Sequence, residues 1–148
     1  MATIVRVRDL KLDALKELRA QSSAEGFSFI ERLCEEWASG ANRFDAPGEA
    51  LFLAVNDGQV VGVCGLNCDP YARNPLIGRV RRLYVSRANR HCGIGGALLE
   101  AVVACARGHF NLLRVRTEAA DDFYTAQGFR RVASDAEVTR VLQLSGFD

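Results

Sequence analysis

Residues 78–108, GRVRRLYVSRANRHCGIGGALLEAVVACARG, run an alternating β-rich segment into a strongly apolar helical one through a glycine-bearing loop. Ile94, Leu98 and Val102 recur at helical spacing, which gives the apolar segment a face for a core. Gly93, Gly95 and Gly96 stand at its entrance, with Arg87 and Arg90 just ahead of them. A strand that feeds a helix in this way commits the middle of the chain to a sheet covered by helices. The glycines leave two readings open. They permit a tight turn, or their bare backbone lets an anion approach the positively polarised helix N-terminus.

The flanking segments extend the same pattern. TIVRVR (3–8) alternates as a strand with one wet face. DLKLDALKELRAQ predicts a helix capped by Asp9, with Leu12, Leu15 and Leu18 at helical spacing. FSFIERLCEEWASG predicts a second helix, with Phe29, Leu33 and Trp37 on one face and Gly40 as its stop. ALFLAV and QVVGVCGLN are β-rich runs joined by NDG, a hairpin signal. CDPYARNPL reads as loop, NLLRVRTE as a strand, AADDFYTAQGF as a short helix and RRVASDAEVTRVLQL as two short strands around a turn. The order β-α-α-β-β-β-α-β-α-β-β predicts an α/β (α+β) fold. Its mixed sheet has six to seven strands with helices on both faces, in a single domain over residues 1–148.

Composition narrows the function classes. At 148 residues, 49% apolar and 25% charged, the chain is long enough for a real core and has the balance of a soluble protein. A net charge of +1 gives no overall field toward nucleic acid or a membrane surface. Arg79, Arg81, Arg82, Arg87 and Arg90 are locally dense, and such runs are most often solvated faces. The first residues lack the apolar core of a signal peptide, and no stretch nears the ~18 apolar residues of a membrane span. Cys34, Cys64, Cys68, Cys92 and Cys105 are odd in number and form no CxxC pair. That pattern speaks against disulfides and a zinc site and for small buried hydrophobes in a reducing cytoplasm. His91 beside Cys92 lacks nearby carboxylates, so no metal is expected there.

The common nucleotide motifs fit the glycine loop poorly. A P-loop needs Lys-Ser/Thr after its last glycine, and the dinucleotide fingerprint needs a different glycine spacing. Arg90-x-x-Gly93-x-Gly95, five residues after LYV, resembles the R/Q-x-x-G-x-G/A motif of the GNAT superfamily of acyl-CoA-dependent N-acyltransferases. RRLYVSRANRHCGIGGALLEAVVACA (81–106) looks like that family's strand 4, pyrophosphate loop and helix 3. FYTAQGFRRV (123–132) looks like its downstream F-Y-x-x-x-G-F box.

The resemblance implies acetyl-CoA as co-substrate, with its pyrophosphate on the backbone amides of His91, Cys92, Gly93, Ile94, Gly95 and Gly96 and with Arg90 in the motif's first position. It also implies that Leu83 and Val85 offer backbone groups to pantetheine along a splayed strand. An unpaired edge inside a sheet is a ready ladder for an amide-bearing ligand. Thr117 and Ala120 occupy two positions of the family's N-x-x-A-x-x-F-Y pattern, with Thr in place of Asn. Tyr124 is implied as the general acid that protonates the departing thiolate. As an isolated residue it would read as a half-buried helix tyrosine. No carboxylate lies on strand 78–85; Glu118 and Asp121 are candidates for a general base beside a water relay or an amine that arrives neutral, and the base is left unassigned.

The resemblance places the acceptor, a primary amine on a small molecule or peptide, near residues 22–30 and 68–77. Ser22, Ser23, Phe27, Tyr71 and Arg73 lie in those segments. Arg82 shares a strand face with Tyr84, where it holds either an acidic acceptor or a structural salt bridge. The implied activity is direct N-acetyl transfer in a ternary complex, with neither nucleic acid nor membrane as partner and a homodimer allowed. A non-catalytic acyl-CoA-binding module on the same fold and a nucleotide-binding protein are the alternatives.

Overall fold

The computed structural model describes residues 2–117, 121–132 and 138–144, apart from the side chain of Asp121. The strands are β1 (Thr3–Arg6), β2 (Ala50–Asn56), β3 (Gln59–Cys68), β4 (Ile77–Val85), β5 (Leu112–Val115), β6 (Arg130–Arg131) and β7 (Arg140–Gln143). The helices are α1 (Lys16–Ala24), α2 (Phe29–Ser39), α3 (Ile94–Arg107) and α4 (Asp121–Ala126). The strands form one seven-stranded sheet in the order β1-β2-β3-β4-β5-β7-β6. Among the described residues only the β4–β5 pair is parallel, so the sheet is mixed.

Both faces are covered. On β2, Leu51, Leu53 and Val55 join α1 and α2 residues, including Leu15, Leu18, Leu33 and Trp37, in one apolar cluster. Phe52 and Ala54 turn the other way, into a cluster with Leu98, Leu99 and Val102 of α3. That is the period-2 pattern of a strand packed on both sides. Asp57 (φ 50°) and Gly58 (φ 77°) make the two-residue turn between β2 and β3, as the NDG signal requires. Gly40 ends α2 in the left-handed region at φ 85°.

Three local expectations change. Asp9 does not cap a helix, because its carboxylate bonds Lys11 Nζ at 2.8 Å and a 3-10 turn over Leu12–Leu15 precedes α1. The arginines of β4 are not a solvated face: Arg79 is 7% exposed and packs beside the buried Asp69. The cysteines divide, with Cys34 and Cys64 buried but Cys92 exposed on the glycine loop.

Two irregularities in β4 open space beside the strand and turn one of its side chains. Its pairing with β5 stops at Arg79–Arg114, while β5 continues to pair with β7 through Val115–Arg140. The two parallel strands therefore part after Arg79. Against β3 the register slips between Val63–Tyr84 and Gly65–Arg81, a bulge that places Arg82 at φ 61°.

Candidate active site

The glycine loop enters α3 through Gly93, an N-cap in the left-handed region at φ 85°. His91 also has a positive φ, 64°. No side chain caps the helix, and among the described residues no neighbouring carbonyl accepts from the amides of residues 91–96. These are the orphan donors of a helix start, gathered where the macrodipole is positive. Gly95 stands beside Phe123, whose ring a Cβ there would touch at an ordinary contact distance of 3.4 Å.

A cleft of about 770 Å³ runs from this loop along the parted edge of β4. Gly93, Gly95, Leu83, Val85, Phe123 and Tyr124 are among its walls. The gap between β4 and β5 thus opens onto the loop, as the strand divergence requires. Thr139 helps hold β5 on its outer side. Its hydroxyl accepts from the Thr117 amide at 3.0 Å and donates to the Thr117 carbonyl at 3.0 Å. Tyr124 is 4% exposed, with its ring edge-on to Phe123 and Phe129. Burial, and then the nearby Cys64, push its phenol well above the ordinary tyrosine value. It therefore stays protonated across the ordinary pH range.

A second cleft of about 300 Å³ also contains Tyr124, Leu83 and Thr117, and leads away from the loop toward Arg79, Arg81, Arg82 and Arg116. The phenol thus stands where two clefts meet, one along the glycine loop and one among arginines.

A family model described as an acetyltransferase (GNAT) domain matches residues 47–131, more than half of the chain. The chain belongs to the GNAT acetyltransferase family. A proposed acetyltransferase from Exiguobacterium sp. 255-15 is 34% identical, with a TM-score of 0.87 over 97% of this chain and 93% of that one. An aminoglycoside N(6')-acetyltransferase type 1 of Klebsiella aerogenes is 25% identical over 143 residues, 82% of this chain and 94% of that protein. A GNAT family N-acetyltransferase of Escherichia coli, solved in complex with CoA, shares the fold. Its TM-score is 0.73 at 16% identity, over 97% of this chain and 82% of that one. Membership of an acetyltransferase family makes the chain an enzyme by kinship and speaks against the nucleotide-binding alternative.

Within this acetyltransferase the sequence-derived residues fall into distinct positions. Leu83, Val85, Arg90, His91, Gly93, Gly95, Gly96, Thr117 and Tyr124 border the loop cleft. Ile94 is a buried anchor of α3, and Cys92 is exposed on the loop. Ala120 and Glu118 lie outside the described residues, as does the side chain of Asp121. In the expected acceptor segments, Phe27 borders the loop cleft and Tyr71 the arginine side. Ser22 is buried against the Arg19 carbonyl instead.

Arg90 has a partner that the sequence reading missed. Its guanidinium grips Glu25 through Nη1 at 2.9 Å and Nη2 at 2.6 Å, and its Nε donates to the Val85 carbonyl at 2.9 Å. Tyr84 donates its hydroxyl to the same Glu25 carboxylate. Arg90 and then Tyr84 hold the Glu25 carboxyl down at about 2, which makes it a poor base. Arg79 and Arg114 share Asp69, at 3.3 and 3.2 Å, and Arg82 pairs with Glu36 at 2.9 Å. The available signal was the arginine density of an interior strand, since buried guanidiniums need carboxylates.

Proposed function

We propose that this enzyme transfers the acetyl group of acetyl-CoA to a primary amine by direct attack in a ternary complex. The observation that carries the reading is the single path from the open amides of residues 91–96, along the unpaired edge of β4, to the buried Tyr124. Such a path suits an anionic pyrophosphate at one end and an extended, amide-bearing arm along a strand edge. The residues present fit that group. The amides of the loop would bind pyrophosphate, and the backbone of Leu83 and Val85 would pair with pantetheine, with Thr117 beside it.

In the reaction, the neutral amine attacks the thioester carbonyl carbon, a C–N bond forms and the C–S bond then breaks. Tyr124 gives its proton to the departing thiolate, so CoA leaves as the thiol. The attacking nitrogen loses a proton to water, because no described carboxylate of ordinary basicity borders Tyr124. The phenol is restored from solvent. Cys92 carries no acyl group in this scheme.

Calorimetry with acetyl-CoA, CoA, ATP and NAD tests the first half, and a primary-amine panel with free-thiol detection tests the second. The expected result is binding of acetyl-CoA and CoA alone, amine-dependent thiol release, and retained transfer in Cys92→Ser. Tight binding of ATP or NAD in place of CoA overturns the reading. Loss of transfer in a folded, acetyl-CoA-binding Cys92→Ser variant overturns direct attack.

A further inference from the structure

Beyond Tyr124 the path widens into a cleft of about 440 Å³ bordered by Arg32 of α2, Arg79, Arg81 and Arg82 of β4, Arg116 after β5, and the Tyr71 ring. Thr117 completes its lining, and among the described residues no carboxylate is part of it. It shares Arg79, Arg81, Arg82, Arg116 and Thr117 with the cleft that reaches Tyr124, so the two are continuous.

The charges here are only partly balanced. Asp69 answers Arg79 but divides itself between Arg79 and Arg114. Glu36 answers Arg82 through one Nη2 contact. The Arg82 side chain is 8% exposed, and its buried Nε has no hydrogen-bond partner. Arg81 makes no hydrogen bond or ion pair among the described residues; it is half-buried beside Arg82 and Arg79, and Glu36 answers part of its charge from a distance. Like charges held together out of water are unfavourable unless something answers them. The bulge in β4 is what turns Arg82 inward, at a backbone φ that a non-glycine residue seldom adopts.

We propose that the acceptor of this acetyltransferase is an anionic amine, a primary amine on a small molecule that also carries a carboxylate or phosphate, bound through Arg81 and Arg82. The inference rests on the acetyl-transfer reading above and narrows its substrate. The amine points to the junction at Tyr124 and Leu83, and the anion occupies the arginine end. A guanidinium fork matches either oxyanion, and Arg81 is the one with its donors uncommitted. The same cleft repels a polycationic aminoglycoside, the substrate named for the Klebsiella aerogenes relative. The Tyr71 ring, 5.0 Å from the Arg79 guanidinium, forms one wall of this cleft.

The test uses matched probes: glutamate against its diamide, glucosamine 6-phosphate against glucosamine, and kanamycin as polycation. Binding to the CoA-saturated protein is measured by calorimetry and turnover by thiol release. At least one anionic member should bind about tenfold or more tightly than its neutral partner, as expected when a charge-assisted hydrogen bond is gained. The pair that responds tells carboxylate from phosphate. Arg81→Ala should remove that preference while the affinity for CoA stays unchanged, and Arg81→Lys should restore part of it. Equal binding within both pairs, no binding of any probe, or a preference for kanamycin overturns the proposal. Anion-selective binding that depends on Arg81 but yields no thiol release upholds the anion site and overturns the transfer reading. Thiol release with neutral amines alone does the reverse.

Discussion

At the residue scale, the proposed acid is a phenol that burial keeps protonated. Tyr124→Phe removes one oxygen and keeps the ring, so its packing against Phe123 and Phe129 should survive. General acid catalysis contributes typically ~10²–10⁴-fold, so kcat should fall by about tenfold or more with the acetyl-CoA dissociation constant nearly intact. Stopped-flow turnover beside calorimetry separates the two, and an unchanged kcat with chemistry rate-limiting removes the residue from the mechanism. The pH dependence follows from the direction of the shift. An acid catalyst is lost as pH rises through its pKa, and the pKa of Tyr124 lies above the ordinary value of 10. Tyr124 should therefore impose no alkaline fall in kcat up to about pH 10. The FYTAQGF box marked this residue only through its resemblance to the family's F-Y-x-x-x-G-F box, since alone it reads as a half-buried helix tyrosine. Glu25 was not legible. It sits 65 residues from Arg90 in an unremarkable AEG stretch, and nothing local marks a carboxylate that answers a distant guanidinium.

At the element scale, the strand–loop–helix unit was readable because each part is specified locally. Alternation marks β4, glycine marks the loop, and 3.6-residue periodicity marks α3. The bulge and the parting of β4 from β5 were not readable from these residues, since both depend on pairing with β3, β5 and β7. Gly95→Asp tests the loop. Its Cβ would meet Phe123 at 3.4 Å, which a ring can accommodate, so the fold should hold. The added carboxylate then stands before the open amides, and acetyl-CoA affinity should drop more than tenfold, about 1.4 kcal/mol by calorimetry. Glu25→Gln tests the clasp that fixes α1 to the loop. The folded Glu25 carboxyl is lowered from 4.5 to about 2, first by Arg90 and then by Tyr84. Its contribution is present above the unfolded pKa and lost as pH falls through the folded one. The variant should melt below the wild type at neutral pH. That gap should narrow between pH 4.5 and about 2, in melts followed by circular dichroism.

At the scale of the whole molecule, the sheet is a shared wall between two apolar clusters, and the proposed active site lies where that wall opens. β3 contributes to both sides, with Cys64 and Leu66 facing the α3 cluster and Val63 the α1–α2 cluster. Gly62 lets α3 come close: a Cβ there would stand 3.0 Å from Leu98 Cδ1 and 3.4 Å from Ile94 Cγ2. Damage to one cluster should therefore be felt in the other. The chain supplies its own reporter, because its one tryptophan, Trp37, lies in the α1–α2 cluster. Leu98 is wholly buried on the opposite face. Leu98→Ala should cost about 2–5 kcal/mol from lost transfer energy and the cavity left behind. For a chain of this size each kcal/mol lowers Tm by about 2–4 °C. If the sheet couples the two sides, Trp37 fluorescence and far-ultraviolet circular dichroism should report the same lowered midpoint in Leu98→Ala, in urea as in heat. A Trp37 transition left at the wild-type midpoint while the circular dichroism midpoint falls would mean that the helices α1 and α2 unfold apart from α3. The arginine cleft, which takes Arg32 from α2 and Arg79, Arg81 and Arg82 from the sheet, would then be built across two separately melting halves. A single midpoint instead means that the arginine cleft and the glycine loop are held by one cooperative structure. The bulge that turns Arg82 inward is then stabilised by burial on both faces of the sheet.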